Sequence, residues 1–292
     1  MEELADTSRS DAAAAPQMEL VSFQTRFNDR RFKLRLLEPS GADRHLLYRR
    51  LMDGAYDRPF LVEDGRRRSL CFALDGCVQS AMAIADPNAL ISAYTRQMMG
   101  FLLFQASPAQ ILMIGLGGGS LTKYCYRHLP CAQITAVEVE AGVIALRDEF
   151  QIPADDGRLQ VIHGDGSRFL QHTQTRFDVI LVDAFNRSGL APAVAAPAFL
   201  QHAYGALTSH GVLVMNISCV DSGWRKHVRA VKAAFGGNAI HVRVPQDGNT
   251  VVLGFKTALD EREIPLVAHR AAYLAQRYGL EFPALLRSVT GG

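Results

Sequence analysis

The stretch between residues 111 and 140 constrains the fold of this chain more than any other feature. It opens with four apolar residues, Ile-Leu-Met-Ile, as in a strand buried on both faces. Four glycines within the next five residues allow a sharp turn and let a ligand approach without a Cβ in the way. A helix starting at Leu121, with Ser120 as its N-cap, and a second strand ending at Glu138 are predicted next. Because a carboxylate there can accept both ribose hydroxyl hydrogens, the pattern indicates a nucleoside-binding unit.

The spacing of the glycines favours one class of nucleoside over another. The dinucleotide fingerprint reads G-x-G-x-x-G, with the pyrophosphate at the helix N-terminus. From Gly115 this chain reads G-L-G-G-G-S, so the third glycine of that pattern is missing. S-adenosylmethionine (AdoMet) carries no pyrophosphate and needs only close backbone approach and the ribose acid. We therefore predict an AdoMet-type ligand, with a dinucleotide and a plain tight turn as the alternatives.

The remaining sequence predicts an α/β protein with a small β-rich unit in front. Strands alternate with helices from residue 111 to about residue 213, which predicts a doubly wound parallel sheet. Before it, short strand-like runs are separated by Asp-Gly pairs, as in antiparallel hairpins. A helix is predicted over residues 88–104. The predicted division is a disordered tail (1–18), an N-terminal antiparallel β domain (19–86) and a Rossmann-like AdoMet-binding catalytic domain (87–292).

Composition and charge exclude several classes of function. The net charge of +2 over 292 residues indicates no nucleic-acid partner, and no apolar run is long enough to span a membrane. The five cysteines form no C-x-x-C pair, and the histidines show no H-E-x-x-H spacing, so no metal site is predicted. The cysteines lie mostly in apolar contexts, which predicts buried thiols in a reducing, cytoplasmic environment.

Two further acids follow predicted strands, at the edge of the sheet where ligands bind in doubly wound folds. Asp165 comes after the strand predicted at residues 159–163, and Asp183 comes after the strand at residues 177–182. Asp165 either forms a turn or accepts the adenine amino group. Asp183 is either a helix N-cap or an ordinary loop acid, or it lies at the reacting end of the ligand, where it can accept a proton from an attacking amine. We predict the functional role for both.

Five motifs in a fixed order resemble the polyamine aminopropyltransferase family, the spermidine synthases and their relatives. They read GLGGGSL, AVEVEAGVI, HGDGSRFL, FDVILVDAF and GVLVMNI, and the resemblance covers roughly residues 70–255. It implies a homodimer that transfers an aminopropyl group from decarboxylated AdoMet to a small-molecule amine in polyamine biosynthesis. It also implies site roles: donor contact by Gly115 and Gly117, ribose contact by Glu138 and Gln79, adenine contact by Asp165 and Gly166, and acid/base catalysis by Asp183.

The chain departs from the family pattern where that pattern carries negative charge. The family's glycine motif has an aspartate where this chain has Gly118. Its Asp-x-x-Asp loop reads Asp-Ala-Phe-Asn here, so Asn186, which we assign to acceptor binding, replaces the second acid. The family's Tyr-His-Glu run is matched to residues 95–97, which read Thr-Arg-Gln. A buried ammonium needs a counter-charge, and an inward-pointing Arg96 would repel one.

Three functions therefore remain open at the level of sequence. The first is aminopropyl transfer, which the resemblance favours. The second is methyl transfer from AdoMet itself to an unknown small acceptor, because a glycine at position 118 would leave room for the carboxylate of that donor. The third is a nucleoside-binding protein without catalysis. Since Asp183 is retained, we predict a transferase.

Overall fold

The computed structural model of the chain describes residues 16–27, 29–76, 78–186, 189–219, 223–260, 262 and 264–290. Its first unit is a five-stranded antiparallel sheet with the strands in chain order. These strands are β1 (Met18–Phe27), β2 (Arg30–Pro39), β3 (Phe60–Glu63), β4 (Arg67–Cys71) and β5 (Ser80–Ala83). The N-terminal antiparallel sheet expected from the Asp-Gly turns is thus present. Residues 1–15 of the predicted tail lie outside the described residues.

Helix α1 (Arg44–Met52) covers one face of this N-terminal sheet. It begins after Asp43, whose Oδ1 accepts hydrogen bonds from the main-chain N–H groups of His45 and Leu46. Its buried Leu47 and Leu51 pack with apolar side chains of β2 and β3. Other apolar side chains of the sheet, such as Leu61, belong to the core shared with the rest of the molecule. The sheet is therefore packed on both faces.

The second unit is a seven-stranded sheet flanked by helices on both sides. Its strands are β6 (Gln110–Ile114), β7 (Gln133–Glu138), β8 (Leu159–His163), β9 (Phe177–Val182), β12 (Leu207–Ser218), β13 (Ala239–Val244) and β14 (Asn249–Phe255). The strand order is β13-β14-β12-β9-β6-β7-β8, and β14 runs antiparallel to both of its neighbours, β12 and β13. A short ribbon joins β10 (Phe185–Asn186) to β11 (Gly189–Leu190).

Nine helices of the described chain complete this unit. They are α2 (Ala93–Met98), α3 (Ser120–His128), α4 (Ala141–Ala145), α5 (Gly166–His172), α6 (Pro192–Ala195), α7 (Pro197–Ala206), α8 (Trp224–Ala234), α9 (Ile264–Tyr278) and α10 (Pro283–Thr290). Neighbouring residues of strand β6 point to opposite faces of the sheet. Ile111 and Met113 lie in one buried cluster, whereas Leu112 and Ile114 lie in the other. Burial on both faces explains the continuous apolar runs in the sequence.

Two local predictions about helices are wrong. The helix predicted over residues 88–104 is reduced to α2 and a 3₁₀ turn, Met99–Leu103. Ser92 has an extended backbone (φ −81°, ψ 138°), so the helix cannot begin before it, and the Arg96 guanidinium stabilises the preceding loop by donating to the carbonyls of Leu90 and Ile91. The N-cap of α3 is Gly119, at φ +65°, and Ser120 is instead the first helical residue.

The cysteine prediction holds only in part. Cys71 and Cys125 are buried, Cys219 is half-buried and Cys131 is exposed, while Cys77 lies outside the described residues. Within the described part of the chain, no group of three or more His, Cys, Asp or Glu side chains is placed to hold a metal ion. None of the described helices combines the length and apolar character needed to cross a membrane.

Candidate active site

A cavity of about 500 Å³ opens at the carboxyl ends of β6, β7 and β9. Both sheets contribute to its walls, because Leu70, Phe72 and Gln79 come from the N-terminal unit and Ile114 and Val137 end core strands. We call it the glycine-loop cavity. All the predicted site residues line it: Gln79, Gly115, Gly117, Glu138, Asp165, Gly166, Asp183 and Asn186. The structure thus brings together residues that span more than a hundred positions of the sequence, although their individual roles remain predictions.

Glu138 is held in place by the glycine loop itself. Its Oε2 accepts hydrogen bonds from the main-chain N–H groups of Leu116 at 2.8 Å and Gly117 at 3.4 Å. Its Oε1 accepts from the N–H of Glu140 at 2.9 Å, and the residue is only 8% exposed. A carboxylate oxygen can accept more than one hydrogen bond. Glu138 therefore presents a preoriented pair of acceptors to the cavity.

The glycine loop is shaped by contacts with neighbouring strand ends. Gly115 has φ +95°, and a Cβ there would lie 2.2 Å from the carbonyl oxygen of Asp183. The N–H of Gly115 donates to the carbonyl of Val137, and the N–H of Asp183 donates to the carbonyl of Ile114, both at 2.9 Å. A side chain at Gly115 would force these strand ends apart. Glycine is therefore needed at position 115 for the packing of the strand ends, in addition to its predicted contact with a ligand.

The space beside Gly118 is filled. A Cβ at this position would lie 2.8 Å from Cδ1 of Phe150 and 2.8 Å from Oγ of Ser80. A real Cβ does not approach other atoms this closely, so a side chain could enter only if the Phe150 ring or Ser80 moved. Gly118 therefore does not leave the free room for a larger donor that was expected from the sequence.

Asp165 and Gly166 combine a structural contact with a position in the cavity wall. The Oδ1 of Asp165 accepts a hydrogen bond of 2.8 Å from the N–H of Arg168 and so caps helix α5. A Cβ at Gly166 would lie 2.4 Å from Cγ2 of Ile114, so the small residue lets α5 pack closely on β6. Both residues face the glycine-loop cavity. The turn-forming role and the predicted ligand contact of Asp165 are thus compatible.

Asp183 lies where three cavities meet. A connecting cavity of about 30 Å³ lies between the glycine loop, Ser80 and Tyr94. A third cavity of about 630 Å³, which we call the hairpin-side cavity, extends to the turn between β13 and β14 and includes Asp247 and Asn249. Asp183 and Gln79 line both of these cavities and also the glycine-loop cavity. A group bound on either side can therefore reach the Asp183 carboxylate.

Two side-chain donors fix the Asp183 carboxylate. Its Oδ1 accepts from Nδ2 of Asn216 at 2.9 Å, and its Oδ2 accepts from the Tyr94 hydroxyl at 3.1 Å. Burial raises the pKa of the Asp183 carboxyl above its ordinary value; the hydrogen bonds from Asn216 and Tyr94 oppose this rise, and the charge of Glu138 adds to it. The pKa of Tyr94 is also raised, chiefly by burial, so its hydroxyl stays protonated and donates.

Two site residues, Tyr94 and Asn216, were not predicted from the sequence. Asn216 had a visible signal, because it is a polar residue inside the otherwise apolar strand GVLVMNI, and it is 2% exposed. Tyr94 had no such signal: its hydroxyl reaches Asp183 only because α2 lies over the end of the sheet. It is also the residue just before the run matched to the family's Tyr-His-Glu. Arg96 donates to the Leu90 and Ile91 carbonyls and therefore supports the loop before α2.

Comparison with known proteins gives sequence matches over most of the chain. The spermine/spermidine synthase domain model matches residues 91–234. A polyamine aminopropyltransferase of Neisseria meningitidis (serogroup A) is 33% identical, over 82% of this chain and 92% of that protein. About two-thirds of the aligned residues differ between the two proteins, but the alignment covers nearly the whole length of the Neisseria protein.

Two solved structures share the fold of this chain over different lengths. A probable spermidine synthase from Corynebacterium glutamicum superimposes with a TM-score of 0.61 and 17% identity, covering 93% of this chain and 94% of that one. Human methyltransferase-like protein 13, solved in complex with SAH, matches with a TM-score of 0.56 and 22% identity, over 63% of this chain and 92% of that one. At these identities the likeness concerns the fold.

Proposed function

Because the chain belongs to the spermine/spermidine synthase family and is a transferase, we propose that it moves an aminopropyl group from decarboxylated AdoMet to a small amine. The observation that carries this proposal is the position of Asp183. Its carboxylate lies between the glycine-loop cavity and the hairpin-side cavity, and two side chains hold it there. A donor on one side and an acceptor on the other would therefore meet beside a fixed carboxylate.

The residues of the glycine-loop cavity fit the nucleoside part of such a donor. Glu138 offers preoriented oxygen acceptors for ribose hydroxyls, and Asp165 lies further along the same wall for the adenine amino group. Val139 follows the ribose acid, lines the cavity and is 61% exposed, which leaves an apolar surface for an adenine ring to cover. Ribose, adenine and the glycine loop would thus contact a continuous set of groups.

Asp183 would act on the acceptor. The donor supplies a carbon activated by a positively charged sulfur; when the amine forms the new C–N bond, the C–S bond breaks and sulfur keeps the electron pair. The amine nitrogen becomes positively charged, and Asp183 accepts its proton. The raised pKa of the Asp183 carboxyl brings it closer to the pH at which a base is effective. Holding the donor and the acceptor in the reactive orientation beside Asp183 would lower the activation barrier further.

The surroundings of Gly118 support the decarboxylated donor over AdoMet. Methyl transfer was an alternative because the missing side chain at Gly118 would leave room for the carboxylate of AdoMet. Phe150 and Ser80 occupy that position, and the connecting cavity measures only about 30 Å³. A donor without the carboxylate needs less of this space. A protein that only binds a nucleoside would also gain nothing from a half-buried carboxylate that two side chains hold at the mouth of a second cavity.

Calorimetric titration of the protein with AdoMet and, separately, with decarboxylated AdoMet tests the donor assignment. We expect the decarboxylated compound to bind at least tenfold more tightly, a difference of about 1.4 kcal/mol. The Glu138→Gln variant should weaken both titrations alike, because both donors carry the same ribose. Tighter binding of AdoMet would contradict the proposal and favour methyl transfer.

A further inference from the structure

The hairpin-side cavity contains an acid that neither the motifs nor the family resemblance singles out. Asp247 lies in the turn between β13 and β14, is exposed, and lines this cavity. Its Oδ2 accepts a hydrogen bond of 2.7 Å from the main-chain N–H of Tyr94. The side chain is therefore held at a defined place in the cavity wall.

Tyr94 connects this acid to the reacting centre. Its main-chain N–H contacts Asp247, and its hydroxyl contacts Asp183. The two carboxylates therefore face one cavity and are linked through Tyr94 and the hydrogen bonds at its two ends. Asp183 and Asp247 are the acidic side chains among the described residues that line the cavity, and most of the others are serines, asparagines and small apolar residues.

We propose that Asp247 determines acceptor specificity by binding a second ammonium group, at the end of the acceptor far from the nitrogen that reacts at Asp183. This rests on the proposed function. It explains how a chain with glycine at position 118 and asparagine at position 186 holds a cationic acceptor: the counter-charge comes from the β13–β14 turn. An ammonium group removed from water needs such a partner.

The charge that the N-terminal sheet contributes to this cavity agrees with this placement. Arg67, on strand β4, is the one cation among the described residues that line the hairpin-side cavity, and it is exposed. Its positive charge disfavours an ammonium group near the N-terminal sheet. An acceptor with two positive ends is therefore guided along the wall formed by Asp183, Tyr94 and Asp247.

A purely structural role for Asp247 can be separated from this one. Its hydrogen bond to the Tyr94 N–H resembles a helix cap, since Tyr94 is in the first turn of α2. In Asp247→Asn the amide oxygen can still accept that bond, whereas the negative charge is lost. Asp148→Asn is the matched control: Asp148 is exposed, and the substitution changes net charge equally at a residue that lines none of the three cavities.

Calorimetric titrations with 1,4-diaminobutane and 1-aminobutane, in the presence of 5′-methylthioadenosine, test the proposal. The wild-type protein should bind the diamine more tightly than the monoamine. In Asp247→Asn the diamine affinity should fall about tenfold to a hundredfold, as expected for one charged hydrogen bond, while monoamine affinity stays unchanged. The Asp148→Asn control should behave as the wild type. In turnover assays, the KM for the diamine should rise in Asp247→Asn with little change in kcat.

Three results would overturn the role of Asp247: an unchanged diamine affinity in Asp247→Asn, an equal loss for both amines, or no amine binding by the wild type. The proposed function fails differently. If the wild type prefers the diamine through Asp247 but forms no aminopropyl product, transfer is refuted and the recognition stands. If transfer occurs without any diamine preference, only the assignment of Asp247 is refuted.

Discussion

Asp183 illustrates, at the scale of single residues, what the sequence can and cannot reveal. Its position after an apolar strand indicated a site at the end of a parallel sheet, and the structure places it at the meeting point of three cavities. Its two hydrogen-bond donors come from residues 94 and 216 and depend on tertiary packing. The acid could therefore be predicted from the sequence, whereas its environment could not.

Replacement of Asp183 by asparagine should abolish turnover and leave donor binding largely intact. Asparagine keeps the size of the side chain but cannot accept a proton from the amine. Steady-state kinetics and calorimetry with the donor separate the two effects. Substantial activity in this variant would remove Asp183 from the mechanism.

The pH dependence of the wild-type enzyme should show the raised pKa of the same carboxyl group. The base must be deprotonated, so activity should fall as the pH drops through the pKa of Asp183. Since burial raises that pKa, the fall should begin at higher pH than for an ordinary aspartate, whose pKa is about 3.9. A profile of kcat/KM against pH measures it. An acid limb at the ordinary aspartate value would contradict the assignment.

Substitution of Glu138 by glutamine should weaken nucleoside binding by about 1–3 kcal/mol through loss of charge-assisted hydrogen bonds. The glutamine side chain has nearly the same size, but its NH2 group cannot accept the main-chain hydrogen bonds that one of the two carboxylate oxygens accepts. Circular dichroism therefore has to verify that the variant keeps its fold. Titration with the donor or with its nucleoside product gives the affinity. If affinity is unchanged, Glu138 does not hold the ribose.

At the scale of elements, apolar runs were more informative than caps. Strand β9 was predicted at residues 177–182 and is observed at Phe177–Val182, because burial on both faces leaves a continuous apolar pattern. The start of α2 was mispredicted because a side chain of the same helix, Arg96, binds the carbonyls before it. The start of α3 was mispredicted because Gly119 adopts a left-handed conformation. Such contacts leave little trace in hydrophobic periodicity.

The glycine loop offers a prediction at this scale. Gly118→Ala should lower the free energy of unfolding by about 1–3 kcal/mol, since the new Cβ would overlap Phe150 and Ser80. Thermal denaturation measures the change. A second substitution, Phe150→Leu, should recover part of the loss in the Gly118→Ala background by opening space. An unchanged melting temperature in Gly118→Ala would show that the position is open, and the methyl-transfer alternative would regain its support.

At the scale of the whole molecule, an ion-pair network joins the N-terminal sheet to the core. Glu63 Oε1 lies 2.7 Å from Nε of Arg68 and 3.2 Å from Nη1 of Arg35, on neighbouring strands of that sheet. The same two arginines reach across to Glu149 in the core, with Nη2 of Arg35 and Nη1 of Arg68 each 3.1 Å from a carboxylate oxygen. Burial alone would raise the pKa of Glu63, but hydrogen bonds from Arg68 and Arg35 lower it.

Loss of this network should destabilise the protein. Glu149→Gln should reduce the free energy of unfolding by about 1–3 kcal/mol, because two partly buried arginines lose a charged acceptor. Urea denaturation measures the change, and Glu281→Gln, at an exposed residue, is the control. Equal stability of both variants would exclude a role for Glu149 in joining the units.

The same network should make stability depend on pH through Glu63. Because the pKa of Glu63 is lowered in the folded state, the contribution of this carboxylate to the free energy of unfolding should be present above about pH 4.3. It should be lost as the pH falls through the pKa of the folded state.

The sequence predicted both sheets but not the contacts between them. Turn signals and apolar periodicity act over a few residues, whereas the pairing of Arg35 with Glu149 joins positions more than a hundred residues apart. The same limit applies to the hairpin-side cavity, which needs residues from β4, α2, the β10–β11 ribbon and the β13–β14 turn. The predicted homodimer remains a prediction that size-exclusion chromatography with light scattering can test.

The most direct measurement is the mass of the product formed from each donor. The purified protein is incubated with 1,4-diaminobutane and either decarboxylated AdoMet or AdoMet, and the amines and nucleosides are analysed by mass spectrometry. Aminopropyl transfer predicts an amine heavier by one aminopropyl group together with 5′-methylthioadenosine, formed only from the decarboxylated donor and not by Asp183→Asn. A methylated amine formed from AdoMet, with no aminopropyl product from the decarboxylated donor, would contradict the proposed function.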